Sequence, residues 1–355
     1  RVAMDDAFVQ APEHRPVSPL AEATGVPVID LSPLIAATPP SPAVLDALVA
    51  EVGAACREWG FFVAVGHGVP DATAVRAVDA GRAFFALPAV SKAAVRRTER
   101  APLGYYDAEH TKNVKDWKEV FDIFPHELRP PAASVDGELV FMNKWPDDAD
   151  LPGFREVLEE YAAAMEELAF KVLELIARSL NLRPDRLHGF FREKMTTYMR
   201  INRYPPCPRP DLALGLGRHK DSGALTILRQ DDVVAGLDVR RRSGEWACVR
   251  PLPGSLVINV GDIIQVWSND RYQSVEHRAS VNQEQERFSI PYFFNPAMDT
   301  VVEPLPEMVS EERPSRYNAY GWGEFFCTRR RSNFRKLPVD NIQIDQLRKD
   351  KIGQE

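Results

Sequence analysis

The stretch MTTYMRINRYPPCPRPDLALGLGRHKDSGALTILRQ, residues 195–230, decides the fold. Short runs rich in β-branched and aromatic residues alternate there with turn residues. The pattern continues downstream through GLDVRR, EWACVR, SLVINV, YQSVEHRASV and ERFSIPYFF. Turn signals separate the runs: PPCPRP, Ser243-Gly244, Pro253-Gly254 and Asn269-Asp270. Short strands at this spacing predict a sandwich or jelly roll, not a parallel sheet.

Upstream the texture is helical. A long amphipathic helix is expected from about Gly153 to Leu180, with Val157, Tyr161, Met165, Leu168, Val172 and Ile176 as its buried stripe and Asn181 as its stop. Residues 100–150 read as irregular, with aromatics among charges. Asp71 can cap a helix running to Phe84-Phe85, and Ser41-Pro42 opens another that Gly60 ends. Between these two helices FFVAV, Phe61 to Val65, reads as a buried strand. A short helix is expected near Asp185. Residues 1–25, rich in Pro and Ala, read as an arm, with Met4-Asp5 as the natural start behind an added Arg1 to Ala3. The expectation is an α+β, β-rich single domain over 26–355. It has a double-stranded β-helix (jelly roll) core at 195–300, N-terminal helices from 26–194 packed against it, and a helical tail over 301–355.

The 355 residues are 45% apolar and 27% charged, enough for a sizeable core. The net charge of -7 argues against nucleic acid as a partner, since phosphate binding needs a basic surface. The runs Arg240 to Arg242 and Arg329 to Arg331 read as solvated faces. Four scattered cysteines form no CxxC pair, which fits reduced thiols in the cytoplasm. No apolar run reaches membrane-spanning length. A monomer acting on a small molecule is expected.

His219 and Asp221 are two apart, so on extended backbone they share a face. His277 follows 56 residues later, far enough for strands to pass before a third ligand returns. Two His and one carboxylate suit Fe(II) with open coordination positions. Alone, an H-x-D is often only a surface pair. Ten residues after His277 comes Arg287-Phe288-Ser289. Arg287 and Ser289 share a strand face and together can grip a carboxylate. Otherwise Arg287 needs an internal Asp or Glu partner.

HKD (219–221), His277 in SVEHR and RFS (287–289) resemble the signature of the 2-oxoglutarate/Fe(II)-dependent dioxygenases. WGFFVAVGHGVP (59–70), INRYPPCPRPDLALGLGRHKDSGALTIL (201–228) and GSLVINVGDIIQVWSNDRYQSVEHR (254–278) resemble the plant soluble branch. That branch includes flavonol synthase, anthocyanidin synthase, gibberellin oxidases and hyoscyamine 6-hydroxylase. The resemblance implies His219, Asp221 and His277 as iron ligands. Arg287, Ser289, Tyr204 and Asn202 would hold 2-oxoglutarate. O2 would be consumed, with ascorbate as a reductant, and the keto acid would leave as succinate and CO2 while a substrate C–H is oxidised. For the substrate it points to Phe293, Arg200, Lys220, Phe121, Phe124 and Tyr106, and to a gibberellin-like acid or a flavonoid or other phenolic. Two alternatives stand beside it: an oxidase of the same fold that spares 2-oxoglutarate, like aminocyclopropanecarboxylate oxidase, and a metal-dead binding module. Pro291 departs from the pattern and is expected to interrupt its strand. His67 reads as a turn histidine satisfied by backbone, and His110 as a loop residue.

Overall fold

In the β-rich half, alternate side chains part to two sides of each strand. On the strand Arg287–Phe294, Phe288, Ile290, Tyr292 and Phe294 enter the main apolar core, while Arg287, Ser289, Pro291 and Phe293 line a cavity on the other side. The strand Tyr198–Tyr204 sorts likewise, with Met199 and Ile201 in the core and Tyr198, Arg200, Asn202 and Tyr204 on the cavity. The computed structural model describes residues 4–17, 20–126, 132–133, 137, 139–334 and 342–349. Arg1 to Ala3 and parts of the arm and tail lie outside the described residues.

The strands used below are β1 (Val28–Asp30), β2 (Phe61–Val65), β3 (Gly104–Tyr106), β4 (Glu119–Ile123), β5 (Tyr198–Tyr204), β6 (Leu216–His219), β7 (Leu225–Gln230), β8 (Leu237–Arg240), β9 (Trp246–Val249), β10 (Leu256–Val260), β11 (His277–Ala279) and β12 (Arg287–Phe294). The helices are α1 (Pro42–Glu58), α2 (Asp71–Phe85), α3 (Phe154–Ser179), α4 (Asp262–Trp267) and α5 (Trp322–Ser332). Eight strands form one sheet in the order β1-β2-β10-β7-β12-β5-β4-β3, and four form a second, β6-β11-β8-β9. Apart from the parallel β1–β2 edge, the pairings in both sheets are antiparallel. Phe61, Val63 and Val257 of the large sheet pack on Leu237, Val239 and Val249 of the small one, giving the two-layered jelly roll. Helices α2 and α3 cover the outer face of the large sheet.

Local rules account for most boundaries. The Ser41 hydroxyl accepts from Val44 N–H at 3.4 Å, and Pro42 opens α1. Helix α3 buries Tyr161, Met165, Leu168, Val172 and Ile176, as its stripe predicts, with Val157 only partly covered. Asn181 takes φ +60° just beyond it. Asp71 begins α2 but does not cap it, because Pro70 holds the cap position. The short helix expected near Asp185 is a single turn at His188–Phe190.

Two expectations are corrected. Residues 26–194 are more than helical support: beside the strand expected at Phe61 to Val65 and a strand-like run at Val26 to Leu31, which form β2 and β1, they supply β3 and β4 of the large sheet. The segment read as irregular hides β3 and β4, because the charges that disguise β4 are buried partners in an ion network. Pro291 also leaves β12 continuous. It still pairs with Leu228 of β7, and within the strand pairing with β5 lapses at Ile290 and Pro291, where the missing N–H removes a ladder bond.

Gly261, between β10 and α4, is forced by close approach. A Cβ there would lie 2.2 Å from the carbonyl oxygen of Gly223 and 2.9 Å from that of Asp221. Gly261→Ala should therefore cost about 1–3 kcal/mol in urea denaturation. Unchanged stability would show that the 221–223 loop yields freely.

Candidate metal centre and keto-acid pocket

Strand β6 ends on His219, which pairs in register with His277 at the start of β11. The two imidazoles face each other with ring centroids 4.3 Å apart. Asp221, just past the end of β6, places Oδ1 3.4 Å from His219 Nε2 and 3.6 Å from His277 Nε2. One ligand atom from each of the three lies within 4.8 Å of the others.

Neighbouring groups aim these donors. His219 Nδ1 faces the Gly217 carbonyl at 2.8 Å, and His277 Nδ1 faces that of Val275 at 3.1 Å. A proton on each Nδ1 is thereby donated outward, leaving the Nε2 lone pairs turned into the cluster. Asp221 Oδ2 accepts from Thr226 Oγ1 at 2.6 Å and from Asn259 Nδ2 at 2.8 Å, which leaves Oδ1 for a cation. Burial alone would raise the Asp221 carboxyl, but His277, His219 and Thr226 hold it far below the usual carboxylate range. Burial pushes His277 below its ordinary value, towards the neutral form a ligand needs. Two imidazoles and one carboxylate, with no thiolate, fit Fe(II) with open positions.

The cavity beside this cluster has a volume of about 200 Å³. Arg287 lines it, 3% exposed, with its guanidinium over the Tyr204 ring at 5.3 Å. Among the described residues it makes no ion pair, and its Nε is buried without a partner. Asp238, which feels its charge, is engaged by Arg278 at 3.1 Å. Next to Arg287, Asn202 Nδ2 donates to Ser289 Oγ at 3.2 Å, and the Asn202 carbonyl oxygen is buried with no partner. Gly236 leaves room for the arginine, since a Cβ there would meet Arg287 Cδ at 2.8 Å. This is a buried cation awaiting an anion, as the distal carboxylate of 2-oxoglutarate would supply.

The residues read from sequence as facing the substrate divide. Phe293 lines the cavity, stacked on Tyr198 with centroids 4.5 Å apart, and Lys220 lines it too. Phe121 and Phe124 do not. Phe121 packs on Phe84 at 4.5 Å in the helix-side core, and Phe124 stacks on Phe141 at 5.2 Å. The alternation of β4 turns Phe121 away and sends Asp122 to the cavity side. Tyr106 also lies off the cavity, against Phe334 and Arg97. His67 is satisfied by backbone, through Gly254 O at 2.9 Å and Val69 N at 3.1 Å, while His110 joins the cavity wall.

Arg200 reaches the cavity, but its charge is already spent. It bonds Asp122 through Nε at 2.6 Å and Glu109 through Nη1 at 2.9 Å. Arg97, Lys118 and Arg330 join the same buried carboxylates. Arg330 thus belongs to no solvated run: it is buried, bound to Asp122 at 2.9 Å and to the Pro102 carbonyl. Burial would raise the Asp122 carboxyl, but Arg200, Arg330 and Arg97 override this and bring it to about 2. Thr226, Asn259, Glu109 and Asp122 escaped the sequence reading. Polar residues inside the apolar runs ALTILRQ and SLVINV were the available signal for the first two.

With this geometry in place, comparison with known proteins is direct. The 2OG-Fe(II) oxygenase superfamily profile matches residues 196–296, and that of the non-haem dioxygenase in morphine synthesis N-terminal region matches 26–148. Jasmonate-induced oxygenase 2 of Arabidopsis thaliana is 35% identical over 323 residues, 89% of this chain and 82% of that one. Flavanone 3-dioxygenase 2 of Oryza sativa subsp. japonica is 35% identical over 330 residues, 91% of this chain and 89% of that one. The crystal structure of JOX2 in complex with 2OG, Fe and JA superposes with a TM-score of 0.75 at 32% identity, covering 91% of this chain and 88% of that one. The chain belongs to the 2-oxoglutarate/Fe(II)-dependent oxygenases, among the plant dioxygenases of that family. It is an Fe(II)- and 2-oxoglutarate-dependent dioxygenase with a jelly-roll core. Among the described residues, no helix is long and apolar enough to cross a membrane.

Two predictions follow from the bonds around the two carboxylates. Asn259→Leu or Thr226→Val frees the Asp221 carboxylate to rotate and should weaken Fe(II) binding about 10–100-fold in a metal titration. Asp122→Asn should cost about 3–5 kcal/mol at pH 7, because it leaves buried guanidinium groups without a counter-charge. Since the folded carboxyl titrates near 2 and the unfolded one near 3.8, the Asp122 contribution is fully present above about pH 4. It is lost as pH falls through about 2, and the unfolding midpoint measured down that range should fall less in Asp122→Asn than in the native chain.

Proposed function

We propose that His219, Asp221 and His277 hold the Fe(II), and that Arg287 and Ser289, with Tyr204 and Asn202, hold 2-oxoglutarate. The substrate is a small plant metabolite of the hormone or flavonoid kind, taken against Phe293 and beside Lys220. The observation that carries this reading is the buried, unpaired guanidinium of Arg287 on the cavity shared with the ligand triad. The names of the relatives support the substrate class: one acts on a flavanone, and another was crystallised with JA.

Together, bound Fe(II), 2-oxoglutarate and O2 supply the oxidation of a substrate C–H, with succinate and CO2 as co-products. The chain's own residues do the rest. Thr226 and Asn259 fix which carboxylate oxygen of Asp221 meets the metal. Arg287 and Ser289 orient the keto acid by its far end. Leu228, Leu237, Val239 and Val257 wall the same cavity and keep water from the reacting groups. A monomer in the cytoplasm is the proposed working form, on the composition and the reduced thiols.

Succinate release should require Fe(II), 2-oxoglutarate and substrate together. Asp221→Ala should abolish it. Arg287→Met should raise KM for 2-oxoglutarate about 10–100-fold, the loss expected for a charge-assisted pair. A native KM in Arg287→Met would sink the keto-acid assignment, and full turnover in Asp221→Ala the metal assignment.

A further inference from the structure

The cations around the cavity are not equivalent. Arg278 is paired with Asp238 at 3.1 Å. Lys118 lies 2.9 Å from Glu109 and 3.1 Å from Asp116. Arg200 and Arg330 share Glu109 and Asp122 as described, and Lys112 lies 3.7 Å from Glu276. Arg287 is claimed by the keto acid. Lys220 borders a second, outer pocket as well, so its ammonium has a route to water.

Arg329 is what remains. It projects from α5 into the cavity wall, partly buried. Its guanidinium reaches only two carbonyl oxygens, that of Ile342 at 3.3 Å and that of Lys220 at 3.4 Å. Among the described residues no carboxylate forms an ion pair with it. Asp262 is its main electrostatic counter-charge but forms no ion pair with it, and Asp221 is committed to the ligand cluster. Lys220 lies between two of the metal ligands, so the carbonyl contact sets Arg329 at the rim of the metal centre. Tyr198, Phe293 and Phe326 line the same cavity and offer aromatic surface.

We propose that Arg329 anchors a carboxylate of the substrate, so that the enzyme acts on a small carboxylic acid with an apolar body and not on a neutral phenolic. The inference rests on the oxygenase reading above and deepens it. Arg200, which the resemblance places beside the substrate, is excluded from this role by its four bonds to Asp122 and Glu109. Burial pulls the Arg329 guanidinium below its ordinary value despite the opposing pull of Asp262, a cost that an incoming carboxylate would relieve.

The test uses the full chain loaded with Fe(II) and 2-oxoglutarate, and reads succinate formed above a substrate-free blank. Three probes are supplied: the acidic pool of a plant metabolite extract, the same pool after methyl esterification, and the neutral pool. The acidic pool should drive turnover, and the esterified and neutral pools should not. Arg329→Gln should raise KM for the active acid about 10–100-fold while leaving KM for 2-oxoglutarate unchanged. Arg329→Lys should recover part of the loss, and Arg183→Gln, in an exposed ion pair, should match the native enzyme. Circular dichroism and thermal melting confirm that the Arg329 variants fold. Turnover carried by the neutral or the esterified pool would overturn the proposal while leaving the oxygenase reading intact. An unchanged KM in Arg329→Gln would do the same. Absence of succinate from every pool would overturn both.

Discussion

The site depends on the divided use of one carboxylate. Asp221 gives Oδ2 to Thr226 and Asn259 and keeps Oδ1 for the cluster with His219 and His277. Its donors come from β7 and β10 of the large sheet, whereas the histidines sit at the ends of β6 and β11 of the small one. The proposed ligand set therefore comes together only when the two sheets are packed. The apolar contacts of Phe61, Val63 and Val257 with Leu237, Val239 and Val249 that close the sandwich also hold the ligands in register.

The cavity follows from the same economy. Strands β5 and β12 carry an apolar face for the helices and a polar face for chemistry, and the two-residue period keeps them apart. The polar face is dense with charge, yet most of that charge is internally cancelled. Glu109 and Asp122 absorb Arg97, Arg200, Lys118 and Arg330. Such a network is costly to break and contributes little net attraction for a ligand. Among the described residues, Arg287, Arg329 and Lys220 line the cavity without an ion pair.

Much of this was legible in the sequence, and the rest failed for identifiable reasons. The i, i+2 rule placed Arg287 with Ser289 because strand geometry is local, and His219 and Asp221 converge as read although Asp221 lies just past the end of β6. Helices α1 and α3 were legible from the Ser41-Pro42 start and an apolar stripe. β4 was missed because its polarity comes from residues whose partners lie far along the chain, such as Arg200 and Arg330. The same non-locality misled the reading of the Arg329 to Arg331 run. Local charge density cannot show that Arg330 meets Asp122, 208 residues away. Phe121 and Phe124 lie off the cavity for a simpler reason: a motif position does not fix which face of β4 Phe121 takes, nor where Phe124 turns just past its end.

The buried network bears on how relatives of this chain can diverge. Its arginines are fixed in place by carboxylates, so the sign of the cavity wall is set by the acids and not by the number of arginines. A relative that kept Arg200 and Arg330 but lost Glu109 would have the same outline and the same cations, with a more strongly anion-seeking wall. Two enzymes could then share fold, metal ligands and every arginine, and still accept molecules of opposite charge. Substrate class in such a family is recorded in the partners of the basic residues, several strands away, rather than in the basic residues themselves.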